Sequence, residues 1–243
     1  MIYPVFVEIL KNFVVFEGPD GSGTTTQLNI LEALFHPIET SENNKPLDSF
    51  DFMVAEPALP YDPANPPYLP EFYKTFEPTD GIIGKTIRSA LKNKGVLTPE
   101  TIAYLFAADR NEHIYGPEGV AQRCKRGELV VSDRYLPSSL VYQGITCGDD
   151  LPARLNRDFP GPELLFYFDI ESKTAQKRIS TRQEKEIYET LDFQIEVRSR
   201  YKALLPSFSE QGVKVISIDA SLPPMEIALM VWAHLEKLPI FKR

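Results

Sequence analysis

Apolar and polar positions fall in blocks whose lengths and periods define a few elements. The run Asn12-Phe-Val-Val-Phe-Glu17 is short, continuous and rich in β-branched and aromatic residues, the pattern of a strand buried on both faces. A glycine-rich stretch follows, and Thr26 to Phe35 then carries helical spacing, so the order reads strand, loop, helix. Three more runs predict buried strands, each ending in aspartate: Glu128-Leu-Val-Val-Ser-Asp133, Glu163-Leu-Leu-Phe-Tyr-Phe-Asp169 and Val213-Lys-Val-Ile-Ser-Ile-Asp219. Helical patterns lie between them over Gly84–Lys92, Pro99–Ile114 and Gln194–Leu205. This alternation predicts an α/β fold, a parallel sheet flanked by helices in three layers, with ligands at the carboxyl ends of the strands.

Two segments depart from the rhythm. Residues 36 to 70 are dominated by proline, asparagine and acidic residues, with Pro57-Ala-Leu-Pro-Tyr-Asp-Pro-Ala-Asn-Pro-Pro-Tyr-Leu-Pro70 near the end, and predict an inserted surface excursion. The first ten residues, MIYPVFVEIL, are apolar but short, contain Glu8 and have no basic region before them, which fits neither a signal peptide nor a membrane span. They predict an extra edge element.

Composition narrows the partners more than the fold. With 243 residues, 43% hydrophobic and 25% charged, the chain fits one domain spanning residues 1–243. A net charge of -8 argues against nucleic acid as a partner, and nothing suggests a membrane. A small anionic ligand would need a local cationic pocket. Cys124 and Cys147 form neither a metal pattern nor a disulfide framework, so a reducing, cytoplasmic compartment is expected.

The chemistry starts in Glu17-Gly-Pro-Asp-Gly-Ser-Gly-Thr-Thr-Thr-Gln27. Its spacing matches a phosphate-binding loop, with Gly18, Gly21, Ser22, Gly23, Thr24, Thr25 and Thr26 around the phosphates of ATP. Glycines let backbone N–H groups converge on phosphate oxygens, and the N-terminus of the following helix adds partial positive charge. Thr25 stands where a hydroxyl would ligate Mg²⁺. Thr24, however, occupies the usual lysine position. A charge pair at about 4 Å and an effective dielectric near 20 is worth roughly 4 kcal/mol, about a thousandfold in rate if felt only in the transition state.

Further along, Ser132-Asp-Arg-Tyr-Leu-Pro-Ser-Ser-Leu-Val-Tyr-Gln-Gly144 resembles the DRY..S..AYQG signature of thymidylate kinases. Thr75-Phe-Glu-Pro-Thr-Asp-Gly-Ile-Ile-Gly-Lys-Thr-Ile-Arg88, Leu105-Phe-Ala-Ala-Asp-Arg110 and Ile218-Asp-Ala-Ser-Leu-Pro-Pro224 resemble three other segments of that family, in family order. The resemblance implies a P-loop NTPase fold with a short lid, phosphorylation of dTMP by ATP with Mg²⁺, and a homodimer. It implies that Phe106 stacks on thymine, Arg110 bonds its carbonyl edge and Ser139 completes base recognition. Tyr142 would lie against the deoxyribose, Asp20 would approach the 3′-hydroxyl, and Arg134 with Arg88 would hold the dTMP phosphate; Glu77 and Gln143 join the same dTMP set. Asp133 would share the metal with Thr25 and act in catalysis. An arginine fork matches phosphate oxygens, which suits Arg134 and Arg88 to that task.

Cations for the transferring phosphoryl would come from a lid over about 177–192, where Lys177-Arg-Ile-Ser-Thr-Arg-Gln-Glu-Lys-Glu-Ile-Tyr-Glu189 resembles the family's basic stretch. Arg178 and Arg182 match its catalytic positions, with Lys85 or Lys185 as helpers. Ile187, Phe76 and Thr24 each replace a cation of the family pattern. Two alternatives therefore stay open: a related nucleoside monophosphate kinase with a changed acceptor, and a nucleotide-binding pseudokinase.

Overall fold

The computed structural model describes residues 6–36, 68–93, 95–180 and 190–242. Five strands form one parallel sheet: β1 (Ile9–Glu17), β2 (Phe72–Phe76), β3 (Leu129–Asp133), β4 (Gly161–Asp169) and β5 (Lys214–Asp219), in the order β2-β3-β1-β4-β5. Around them lie helices α1 (Thr24–Phe35), α2 (Ile82–Lys92), α3 (Pro99–Tyr115), α4 (Val120–Arg126), α5 (Leu136–Cys147), α6 (Asp150–Asn156), α7 (Ser172–Ser180), α8 (Leu191–Glu210) and α9 (Pro224–Leu235). This is the three-layer α/β arrangement, a parallel sheet flanked by helices, that the alternation predicts.

The two-residue period of the strands divides the core. Phe13, Val15, Val130, Leu165 and Tyr167 pack on one face with Ile87, Ile102, Leu136, Val197 and Phe208. Val14, Phe16, Val131, Leu164, Phe166 and Phe168 pack on the other with Leu28, Leu31, Trp232 and Leu235. Both faces are covered, which is why the strands read as unbroken apolar runs. Local signals set helix starts: Thr98 Oγ1 accepts from Thr101 N–H at 3.2 Å ahead of Pro99, and Thr190 Oγ1 accepts from Phe193 N–H at 3.4 Å.

One sequence expectation changes, and the structure adds one strand. At the described end of the N-terminal segment there is no edge element: Ile9 and Leu10 begin the central strand, paired with Gly161 and Pro162, and a shift before Val14 accommodates Asn12 at φ 64°. Glu163 holds this irregularity, accepting from the Asn12 backbone at 2.8 Å and from Lys11 at 3.2 Å. The edges are β2 and β5, and the polar Lys74 and Thr75 of β2 hid it from the apolar-run criterion. The excursion over residues 36–70 falls almost wholly outside the described residues, as do Arg182, Lys185 and Ile187 of the lid stretch. Among the described residues no helix is long and apolar enough to cross a membrane.

Phe166 is fully buried on β4 and meets the Phe16 ring edge-on at 5.5 Å between centroids. Phe166→Ala should therefore cost about 3–5 kcal/mol by lost burial and residual cavity, measured by urea unfolding.

Candidate active site

The site is set by strand register. Phe16 lies opposite Asp133 across β1 and β3, and Phe76 lies opposite Asp133 across β2 and β3. One residue further, Glu17, Arg134 and Glu77 leave three adjacent strands side by side. The ladder continues at this level: Arg134 N–H donates to the Phe16 carbonyl at 2.8 Å, and Glu77 N–H to the Asp133 carbonyl at 3.0 Å. The order reverses between β1 and β3, where the connection from β1 runs to β2 on one side and that from β3 runs to β4 on the other, so a crevice opens at the carboxyl ends.

The glycine loop turns tightly between β1 and α1. Ser22 N–H donates to the Pro19 carbonyl at 3.0 Å, and Gly21 and Gly23 adopt φ 82° and 92°, which a side chain would resist. At Gly21 an added Cβ would stand 2.7 Å from the Ala175 carbonyl. Helix α1 starts after Gly23 with no side-chain cap, so its first N–H groups face the cleft for an anion to meet. Gly18 and Ser22 lie beneath the loop, a Cβ on Gly18 coming within 2.6 Å of Ser22 Oγ. Thr24 is buried in the cleft wall beside Thr25 and Thr26. Thr25 Oγ1 donates to Asp133 Oδ2 at 2.5 Å, while Asp133 Oδ1 is buried without a hydrogen-bond partner.

A single cleft of about 510 Å³ joins this loop to the predicted acceptor residues. Asp20, Gly21, Gly23, Thr24, Thr25, Thr26 and Asp133 line one end; Phe106, Arg110, Ser139, Tyr142 and Gln143 line the other, with Glu77, Arg88 and Arg134 between. Arg134 donates to Asp20 and, at 3.1 Å, to Ser138 Oγ, and its guanidinium lies 5.2 Å from the Tyr142 ring centroid. Asp20 also accepts from Gln194 at 2.9 Å. Arg88 is bound to the Pro78 carbonyl and to Asp80 at 2.7 Å.

Arg110 is fully buried and held from three sides. It donates to Glu77 Oε2 through Nε at 3.0 Å and Nη2 at 2.6 Å, to Ser139 Oγ at 3.2 Å, and to Asn156 Oδ1. The other Glu77 oxygen meets His113 Nδ1 at 2.9 Å, and His113 Nε2 meets Thr75 Oγ1 at 2.7 Å. Burial alone would raise the Glu77 pKa; the Arg110 guanidinium and the His113 bond more than offset it and hold the carboxyl below its ordinary value. His113 and Asn156 carried no functional signal in the sequence, because a lone polar residue in a helical pattern does not announce its partners.

Glu17 is the other residue missed, although a charged group closing an apolar strand was a visible clue. Its side chain is fully buried. Oε1 accepts from Tyr135 N–H at 2.8 Å and Ser138 N–H at 3.3 Å; Oε2 accepts from Ser138 Oγ at 2.7 Å and Tyr201 Oη at 2.8 Å. Burial pushes its pKa up to about 7 against the lowering effects of Arg134 and these donors.

Two cations occupy other places than the lysine of the loop would. Arg178 Nη1 donates to the Ala220 carbonyl at 3.1 Å and the Gly21 carbonyl at 3.4 Å, against the loop's outer side. Lys92 lines the cleft one helical turn beyond Arg88 on the same face of α2, whereas Lys85 does not line it.

A glycine loop at the end of the central strand, opening onto an arginine-lined cleft, is consistent with a P-loop nucleotide kinase fold. The thymidylate kinase family model matches residues 68–230. A Treponema pallidum protein named "Putative thymidylate kinase" is 36% identical over 217 residues, covering 88% of this chain and 89% of that protein. The "Probable thymidylate kinase" of Pyrobaculum aerophilum is 33% identical over 231 residues, 95% and 99% of the two chains. The chain belongs to the thymidylate kinase family.

The raised pKa of Glu17 has a direct consequence for stability. The folded protein keeps a proton there that the unfolded chain releases near 4.5, so this contribution is complete below 4.5 and is lost as pH rises through about 7. At 1.4 kcal/mol per pH unit, roughly 3 kcal/mol disappears between pH 4.5 and 8. Urea unfolding at both pH values should show wild type losing that much relative to Glu17→Gln, which cannot titrate; parallel profiles would contradict the assignment.

Proposed function

We propose that the protein transfers the γ-phosphoryl group of ATP to the 5′-phosphate of dTMP, giving dTDP and ADP, with Mg²⁺ as cofactor. The observation that carries this reading is one cleft joining a phosphate loop to a buried polar end suited to a base, with Arg134 between them. Gln143 Oε1, buried without a partner, supplies an acceptor that a base N–H satisfies. The bonds from Arg110 to Ser139 Oγ are its longest, and they are the ones a base carbonyl would replace. Phe106 offers its face to the ring. When dTMP enters, Arg134 exchanges Asp20 for the phosphate, aided by Arg88, and Asp20 turns to the sugar 3′-hydroxyl.

The reaction needs no general base. The second pKa of a phosphate monoester is near 6, so the acceptor is a dianion at neutral pH. One of its oxygens bonds to the γ-phosphorus as the bridging bond to ADP breaks, and the protein contributes position and charge. Thr25 Oγ1 and the unpartnered Asp133 Oδ1 fit Mg²⁺ completed by phosphate oxygens and water, and bound there the ion would neutralise phosphate charge. Arg178 and Arg182, on the lid stretch of one kinase domain, would supply the cationic charge that Thr24 does not. The acceptor cleft supports an active enzyme; a homodimer is implied by the family resemblance, and light scattering would read its assembly.

A coupled ATP/dTMP assay tests the reading directly, and a panel of other nucleoside monophosphates tests the acceptor. Arg182→Ala should lose turnover on the order of a thousandfold, the worth of an arginine at the transferring phosphoryl. Thr24→Lys should change turnover little, because the lid arginines already serve. A dTMP-dependent rise in Tm without turnover would instead make the chain a nucleotide-binding pseudokinase.

A further inference from the structure

Arg134 has φ 70°, in the left-handed region that an arginine enters only at a cost. Such a conformation persists where the surroundings over-determine it, and here both flanking peptide groups are fixed. On the N-terminal side, Arg134 N–H donates to the Phe16 carbonyl at 2.8 Å. On the C-terminal side, the Arg134 carbonyl accepts from Ser132 Oγ at 2.7 Å and the next N–H, of Tyr135, donates to Glu17 Oε1 at 2.8 Å. The backbone can therefore turn neither φ nor ψ without breaking one of these bonds. The guanidinium is held by the same short segment, donating to Asp20 and, at 3.4 Å, to the Gly18 carbonyl.

We infer that Glu17 is a positioning residue: its carboxylate holds the Tyr135 N–H, keeping Arg134 left-handed and fixing the acceptor-phosphate arginine to the phosphate loop. Residues 16 to 20 thus place both the loop that receives the donor phosphates and the arginine that receives the acceptor phosphate. In-line transfer depends on the distance between these two sites, and Glu17 sets it without touching either substrate. Its Oε2 bonds to Ser138 Oγ and Tyr201 Oη extend the same hold to α5 and α8. The role requires an acceptor oxygen at the Oε1 position; it requires neither a negative charge nor a base. The kinetic part rests on the kinase reading; the conformational part does not.

The test compares Glu17→Met, which keeps volume but offers no acceptor, with Glu17→Gln, which keeps one. In each background Arg134→Gly and Arg134→Ala are compared by urea unfolding, so that neither member carries charge. Glycine tolerates the left-handed conformation and alanine does not, so with wild-type Glu17 the glycine variant should be favoured at least fivefold in its unfolding constant. This preference should persist with Glu17→Gln and vanish with Glu17→Met. With Arg134 retained, Glu17→Met should raise KM for dTMP and lower kcat, each about tenfold, while Glu17→Gln stays within threefold. An equal glycine preference in all three backgrounds overturns the inference, as does full activity in Glu17→Met. If Glu17→Met does not fold, Ser132→Ala removes the companion bond and is read by the same two outcomes. Absent turnover in wild type would overturn the kinase reading alone, because the glycine–alanine comparison uses no nucleotide.

Discussion

Three strands end level with one another, and the cleft hangs from that alignment. Phe16, Asp133 and Phe76 are register partners across β1, β3 and β2, so Glu17, Arg134 and Glu77 emerge together where apolar sheet gives way to polar site. A slip of one residue in any strand would turn its last side chain to the opposite face. The apolar faces prevent this, since Phe13 and Val15 serve one core layer while Val14 and Phe16 serve the other. Hydrophobic packing thereby fixes the positions of ionic groups that could not choose their own register.

Charge is handled by pairing before any ligand arrives. The protein carries a net charge of -8, yet its cleft contains arginines suited to phosphate. Arg110 is bound to Glu77 and Arg134 to Asp20, so neither cation stands without a counter-charge. The two pairs differ in kind. Glu77 is tied by His113 to Thr75 and by Arg110 to Ser139 and Asn156, a buried network at the Phe106 end of the cleft. Asp20 and Arg134 are each partly exposed, 22% and 23% at the side chain, so their pair meets solvent that the Glu77 pair does not.

How much of this could be read in advance varies with the element. Strands β1, β3, β4 and β5 and the glycine loop were legible because their signal is local: a continuous apolar run, or glycines where the backbone must turn. Strand β2 was not, since Lys74 and Thr75 give it the mixed pattern of a sheet edge. The N-terminal segment read as an edge because its apolar positions end at Lys11 and Asn12; only Glu163 on the neighbouring strand shows how the chain passes that interruption and stays central. Most predicted site residues gather in one cleft, while Arg178 lies against the outer side of the loop and Arg182 lies outside the described residues.

The chain's order of runs, loops and motifs carried the fold class and the family, because both are written in spacings along a few residues. It could not carry the partners of Glu17, since Tyr201 is 184 residues away, nor those of Asp20, since Gln194 is 174 away. Such bonds form only after the sheet has set which strand ends are neighbours and the helices have closed over them. Whether a buried carboxylate holds an arginine, a backbone N–H or a proton is settled by that proximity, through distance, desolvation and the donors within reach. Sequence supplied the groups; tertiary packing assigned them to each other.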